Sequence, residues 1–85
     1  MKEVEFTPTA YKQLEEWLKS DKKIYAHIEE LVLAIQAEPF KGIGKPEPLK
    51  HQLKGYWSRR ITKEHRLVYK ITTTSIVVIS CKYHY

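Results

Sequence analysis

Residues 39–48 read PFKGIGKPEP, three prolines and two glycines in ten positions. Proline has no backbone N–H to donate and glycine loses the most freedom on ordering, so neither a helix nor a strand ladder is expected to run through this stretch. The chain is therefore divided. Its helices must end before the stretch, and most of its sheet must be built after it. The prolines limit the segment's freedom and Phe40 and Ile43 can anchor it, which predicts an ordered loop rather than a slack linker.

The two sides differ in period. KEVEF alternates charged and apolar residues, as a short strand burying Val4 and Phe6 would. From Thr7, a capping residue ahead of Pro8, the spacing becomes helical, with Ala10, Leu14, Trp17 and Leu18 on one stripe. Ser20 or Asp21 caps a second helix whose stripe is Ile24, Ile28, Leu31 and Ile35, with His27 structural and Pro39 as the stop. Beyond the loop, YWSRRI, RLVYKI and SIVVISCKYHY read as strands joined by turns at TKEH and TTTS. Strand, two-helix hairpin, loop and three strands predict a single α+β domain over residues 1–85, with the helices on one face of a mainly antiparallel sheet. Trp57 and Tyr69 are expected in the core and Tyr56 on the opposite face.

In the last hairpin, Leu67, Tyr69 and Ile71 are expected to face the helices together with Val77, Ile79 and Cys81. That register needs a three-residue loop at Thr73, Thr74 and Ser75. It sets Arg66 opposite Lys82, with His84 diagonal to Arg66 on the open face. Like charges directly opposite are destabilising, and a bound phosphate would compensate them.

Charge separates the halves as well. Residues 1–40 hold five Lys/Arg against eight Asp/Glu, a net of −3; residues 41–85 hold ten against two, a net of +8. Such a concentration of one sign points to a polyanion, nucleic acid above all, or to an acidic protein partner. No apolar run approaches a membrane span and MKEVEF lacks a signal peptide's apolar region, so no membrane association and a cytoplasmic location are expected. Cys81 is the only cysteine, which removes an internal disulfide and predicts a buried, inert thiol. Zinc held by His51, His65, His84 and Glu47 lacks any supporting spacing, and no metal or cofactor is expected.

Glu47 lies between Pro46 and Pro48, one of two acids in a basic half that offers Lys45, Lys50, His51, Lys54, Arg59, Arg60, Arg66 and Lys82. It could merely temper local charge. The combination also suits cleavage of RNA by its own 2′-hydroxyl, with Glu47 as base, Arg66 on the phosphate and His84 as the acid that protonates the departing 5′-oxygen. A frayed edge strand is the plainer account of His84 and Tyr85.

At GIGKPEPLKH, GYWSRRITKEHRLVY and the final YHY, the chain closely resembles the YoeB family of toxins within the RelE superfamily, continuously in its second half and by pattern in its first. The resemblance implies a RelE-like fold and a ribosome-dependent endonuclease that cuts mRNA in the A site without a metal. It implies Glu47 as proton acceptor, Arg66 as phosphate ligand, His84 as proton donor and Tyr85 as an aromatic beside the scissile phosphate. Lys50, His51, Arg59 and Arg60 match the family's basic surface. The implied partners are a YefM-like antitoxin, the ribosome and mRNA, with a homodimer as a further assembly. The competing class is a non-catalytic, gyrase-poisoning ParE-like toxin of the same fold, which needs no acid, base and phosphate-binding arginine together.

Overall fold

The computed structural model describes residues 2–83. β1 (Glu3–Phe6) leads into α1 (Pro8–Ser20) and α2 (Lys22–Ala37), followed by β2 (Glu47–Pro48), one 3₁₀ turn (His51–Leu53), β3 (Trp57–Arg60), β4 (Arg66–Ile71) and β5 (Ser75–Ser80). The sheet order is β1-β5-β4-β3-β2, parallel only between β1 and β5. The α+β expectation is met. No helix among the described residues is long and apolar enough to cross a membrane.

Local chemistry sets the helix ends. Thr7 Oγ1 accepts the Ala10 N–H at 3.2 Å and Pro8 follows at the first turn, where its missing N–H is not needed. Such a cap contributes about 1 kcal/mol. Asp21 alone separates the helices: its N–H closes α1 on the Trp17 carbonyl while its carboxylate accepts from Lys23 and Ile24 to open α2. The core joins Ala10, Trp17, Ile28, Leu31 and Ile35 of the helices to Leu67, Tyr69, Ile76, Val78 and Cys81 of the sheet. Each large aliphatic fully buried there contributes about 1.5–3 kcal/mol of transfer free energy. Leu18, expected on the buried stripe, is 44% exposed.

Three details of the sheet differ from the sequence expectations. The stretch 39–48 does carry a ladder, because Glu47 and Pro48 pair with Ser58 and Trp57. This is tolerated because β2 is the outer strand. Leu49 N–H bonds to the Tyr56 carbonyl, so by alternation Pro48 occupies a non-hydrogen-bonded position and forfeits no ladder bond.

The second difference is phase. Ile76 and Val78, rather than Val77 and Ile79, lie in the core, because the register shifts between Val68 paired with Ser80 and Tyr69 paired with Val78. Ile79 is the extra residue of a bulge, and one extra residue exchanges the faces on either side of it. Cys81 thus still points inward. The loop shortens accordingly, since Ile71 pairs with Ile76 and Thr72 N–H reaches the Ser75 carbonyl, which leaves Thr73 and Thr74 at the tip.

The third difference is Arg66. Arg60 lies opposite it on β3, and on the β5 side the ladder stops before a pair with Lys82 can form. β5 ends at Ser80, and the Arg66 N–H bonds to the Tyr83 carbonyl instead.

Candidate active site

The register sorts side chains between two faces. Trp57, Arg59, Leu67, Tyr69, Ile76 and Val78 share the helix side, so their neighbours Ser58, Arg60, Arg66 and Val68 share the open side. Glu47, opposite Ser58, joins them. Ser58, Val68 and Ser80 form a row across β3, β4 and β5, giving the open face an uncharged floor. Glu47 stands at its outer edge, and the Arg60–Arg66 pair stands one pleat along. Strand spacing and rise set the Glu47 and Arg66 backbones about 12 Å apart, a gap that two long side chains and a phosphate between them can span.

Glu47 is exposed on its edge strand. Arg66 is half-buried, and its side-chain bonds to described residues all leave from Nη1, which donates to the carbonyls of Thr62 (2.9 Å), Lys63 (3.2 Å) and His65 (3.2 Å). The turn thereby holds one end of the guanidinium. Arg60 is exposed and faces it in direct register. The expected opposition of two cations exists, with different partners, and it supplies positive charge where a phosphate could bind between strands.

Arg59 departs from the expectation of a place in the basic surface. It is fully buried. Its Nη2 donates to the carbonyls of Glu38 (2.7 Å) and Lys41 (2.8 Å), Nη1 to that of Ile43 (3.1 Å), and Nε to the Tyr69 hydroxyl (3.2 Å). The Tyr69 hydroxyl in turn donates to the Pro39 carbonyl at 2.7 Å. One guanidinium thus gathers the turn that follows α2. Among the described residues no buried side-chain nitrogen or oxygen lacks a hydrogen-bond partner. Burial raises the Tyr69 phenol above its ordinary pKa, and the Arg59 hydrogen bond and charge pull the other way.

Past this clamp, the Gly44 carbonyl accepts the Arg60 N–H at 2.6 Å, so the loop runs alongside β3 before β2 begins. Gly44 has φ +83, and a Cβ there would sit 2.9 Å from Leu31 Cδ2 and 3.2 Å from the Arg60 carbonyl oxygen. Only glycine fits. Arg59 and Gly44 together fix the approach of Lys45 and Glu47 to the open face.

The remaining predicted cations are spread out. Lys45 is exposed beside β2, and Lys50, His51 and Lys54 are exposed on the connection between β2 and β3. Lys82 lies toward the helices: its Nζ is 3.2 Å from Glu16 Oε1 and 5.2 Å from the centre of the Trp17 ring. The two further site residues, His84 and Tyr85, lie outside the described residues. Burial pushes the Cys81 thiol up to about 12 with its Sγ against the Ala10 carbonyl, which fits the expected inert role. Among the described residues no three His, Cys, Asp or Glu side chains gather as a metal site would need.

Sequence reasoning missed the residues that hold the segment before His84. Cys81 N–H goes to Gln13 Oε1 at 2.8 Å, Trp17 Nε1–H goes to the Cys81 carbonyl at 2.9 Å, and Tyr83 N–H goes to His65 Nδ1 at 2.7 Å. Trp17 had a visible place in a helical stripe, but Gln13 and His65 carry no local signal of a contact with residues 81–83.

Residues 6–85 match the family described as YoeB-like toxin of bacterial type II toxin–antitoxin system. Toxin YoeB of Escherichia coli K12 is 55% identical over 69 residues, spanning 81% of this chain and 82% of that protein. The structure of a YoeB dimer from Staphylococcus aureus superposes with a TM-score of 0.93 at 45% identity, covering 99% of this chain and 98% of that one. YoeB in a heterotetrameric YoeB–YefM toxin–antitoxin complex from the same species gives 0.91 at 44% identity, covering 100% and 99%.

Proposed function

Because the chain belongs to the YoeB-like toxins of bacterial type II toxin–antitoxin systems, we propose that it is a ribosome-dependent mRNA endonuclease acting in the A site on the open face of its sheet. The observation that carries this reading is the presence of Glu47, Arg60 and Arg66 on one face, the acid at the sheet edge and the paired cations on adjacent strands. Glu47 accepts the proton of the 2′-hydroxyl, whose oxygen attacks the neighbouring phosphorus. Arg66, with Arg60 opposite, stabilises the charge that builds on the phosphoryl oxygens. His84 donates a proton to the 5′-oxygen as its bond to phosphorus breaks, leaving a 2′,3′-cyclic phosphate and a free 5′-hydroxyl. Tyr85 is proposed as the aromatic contact of the scissile region. No metal takes part.

Lys45, Lys50, His51 and Lys54 contribute to the surface met by the ribosome and mRNA, whereas Lys82 is drawn toward Glu16 and Trp17 of α1. Arg59 supports the same site from beneath through the loop it holds. The net +8 of residues 41–85 also suits an acidic segment of a YefM-like antitoxin, which would block the face by charge complementarity. Self-association as a homodimer is proposed by likeness to the Staphylococcus aureus protein. Mapping transcript 5′ ends after brief expression tests the reading. Wild type should create new ends within translated codons, and His84→Ala should not. Growth arrest with no new ends would favour a non-catalytic toxin instead.

A further inference from the structure

The chain entering His84 is held peptide by peptide. Gln13 and Trp17 of α1 engage the N–H and carbonyl of Cys81, and two residues on the same is done to Tyr83 where the preceding turn enters β4. There, His65 Nδ1 accepts the Tyr83 N–H at 2.7 Å and the Arg66 N–H donates to the Tyr83 carbonyl at 3.0 Å. Tyr83 needs such support, since its φ of 63 is in the left-handed region, which an aromatic residue enters rarely and keeps only when its surroundings over-determine it.

His65 is itself fixed. Its ring meets Trp17 edge-on at 4.8 Å between centroids, and its backbone N–H bonds to Thr62 Oγ1 at 3.1 Å. An amide N–H can only donate, so Nδ1 must be the unprotonated nitrogen and Nε2 must carry the ring proton.

We infer that His65 is a positioning residue for catalysis: its Nδ1 lone pair holds the Tyr83 peptide and thereby sets where His84 begins. This rests on the reading of His84 as the general acid, which His65 serves through the backbone of Tyr83 without touching substrate. The peptide bond that carries His84 leaves from the Tyr83 carbonyl, which the Arg66 N–H holds from the other side.

The test compares His65→Leu, which keeps bulk and removes the acceptor, with His65→Asn, whose Oδ1 can stand in for Nδ1. Single-turnover cleavage of ribosome-bound mRNA should fall about 10²-fold in the Leu protein, as a misplacement near 1 Å can cause. Amide hydrogen exchange at Tyr83 in the free protein should accelerate in the same variant. The Asn protein should recover protection at Tyr83 and cleave within about tenfold of wild type. A folded Leu variant that cuts at the wild-type rate overturns the inference, as does an Asn variant no better than Leu. Should the Leu protein fail to fold, His65→Phe, which keeps a ring against Trp17 and lacks the acceptor, decides instead: faster exchange at Tyr83 with cleavage lost upholds the anchor, and wild-type behaviour in both refutes it. A wild-type protein that leaves mRNA intact would sink the endonuclease reading, while exchange at Tyr83 would still judge the anchor.

Discussion

The helix side of β3 and its open side each carry an arginine, and the two are treated in opposite ways. Arg59 has no exposed surface and satisfies three loop carbonyls and a phenol, whereas Arg60 is exposed and directly opposes the cation of Arg66. Identical side chains one residue apart thus serve as an internal brace and as a surface charge with no ion-pair partner among the described residues. The helix side uses charge to shape backbone, and the open side concentrates charge for an anion that must come from outside. A site of this kind is braced beneath by Arg59 and charged above by Arg60 and Arg66.

Substitutions that blur this division should have graded effects. Arg59→Ala removes the donors from several buried carbonyls and should cost about 3–4 kcal/mol in a urea melt; a loss below 1 kcal/mol would mean the brace is dispensable. Gly44→Ala forces a Cβ against Leu31 and an alanine into the left-handed region, so a loss of about 2 kcal/mol is expected. Its cleavage should also fall, since the strained loop leads directly to Glu47.

Alkali tests the helix side in a different way. The folded Cys81 thiol titrates near 12 rather than 9.0, so from pH 9 upward the unfolded chain loses its thiol proton first and stability falls as pH rises toward 12. The slope cannot exceed about 1.4 kcal/mol per pH unit for one proton. Melts between pH 8 and 12 should show a shallower decline for Cys81→Ala, while the raised Tyr69 phenol continues to contribute in both proteins. Arg60→Ala should leave stability unchanged or a few tenths of a kcal/mol higher, because it relieves a like-charge pair. Ribosome binding by that variant should depend less steeply on salt, by about one phosphate contact.

Much of the helix side was legible in the sequence. The stripes of both helices apart from Leu18, the cap at Thr7, the choice of Ser20 or Asp21 for the second cap, and the inward Cys81 follow from period and residue chemistry. The phase of β5 was not, because Ile76, Val77, Val78 and Ile79 are all apolar and offer no alternation to choose between faces. A bulge then decided the matter. Arg59 was legible in part: with Trp57 expected inside, a period of two puts Arg59 inside as well, although its residue type argues for the surface. On the open face, Glu47 and Arg66 could be nominated by charge and resemblance, yet their shared face depends on a two-residue edge strand beginning between prolines. His65 as an anchor depends on contacts across 18 residues of chain, which no local pattern encodes.

The central claim is that the open face performs acid–base cleavage with Glu47 as the proton acceptor. Glu47→Gln tests it most directly, since the side chain is exposed and its size and hydrogen-bonding capacity are kept while the negative charge is lost. In single-turnover cleavage of ribosome-bound mRNA, the account predicts a fall of about 10²–10⁴, with ribosome binding retained and the urea melt unchanged. A Gln protein that binds the ribosome and cuts at the wild-type rate would contradict it.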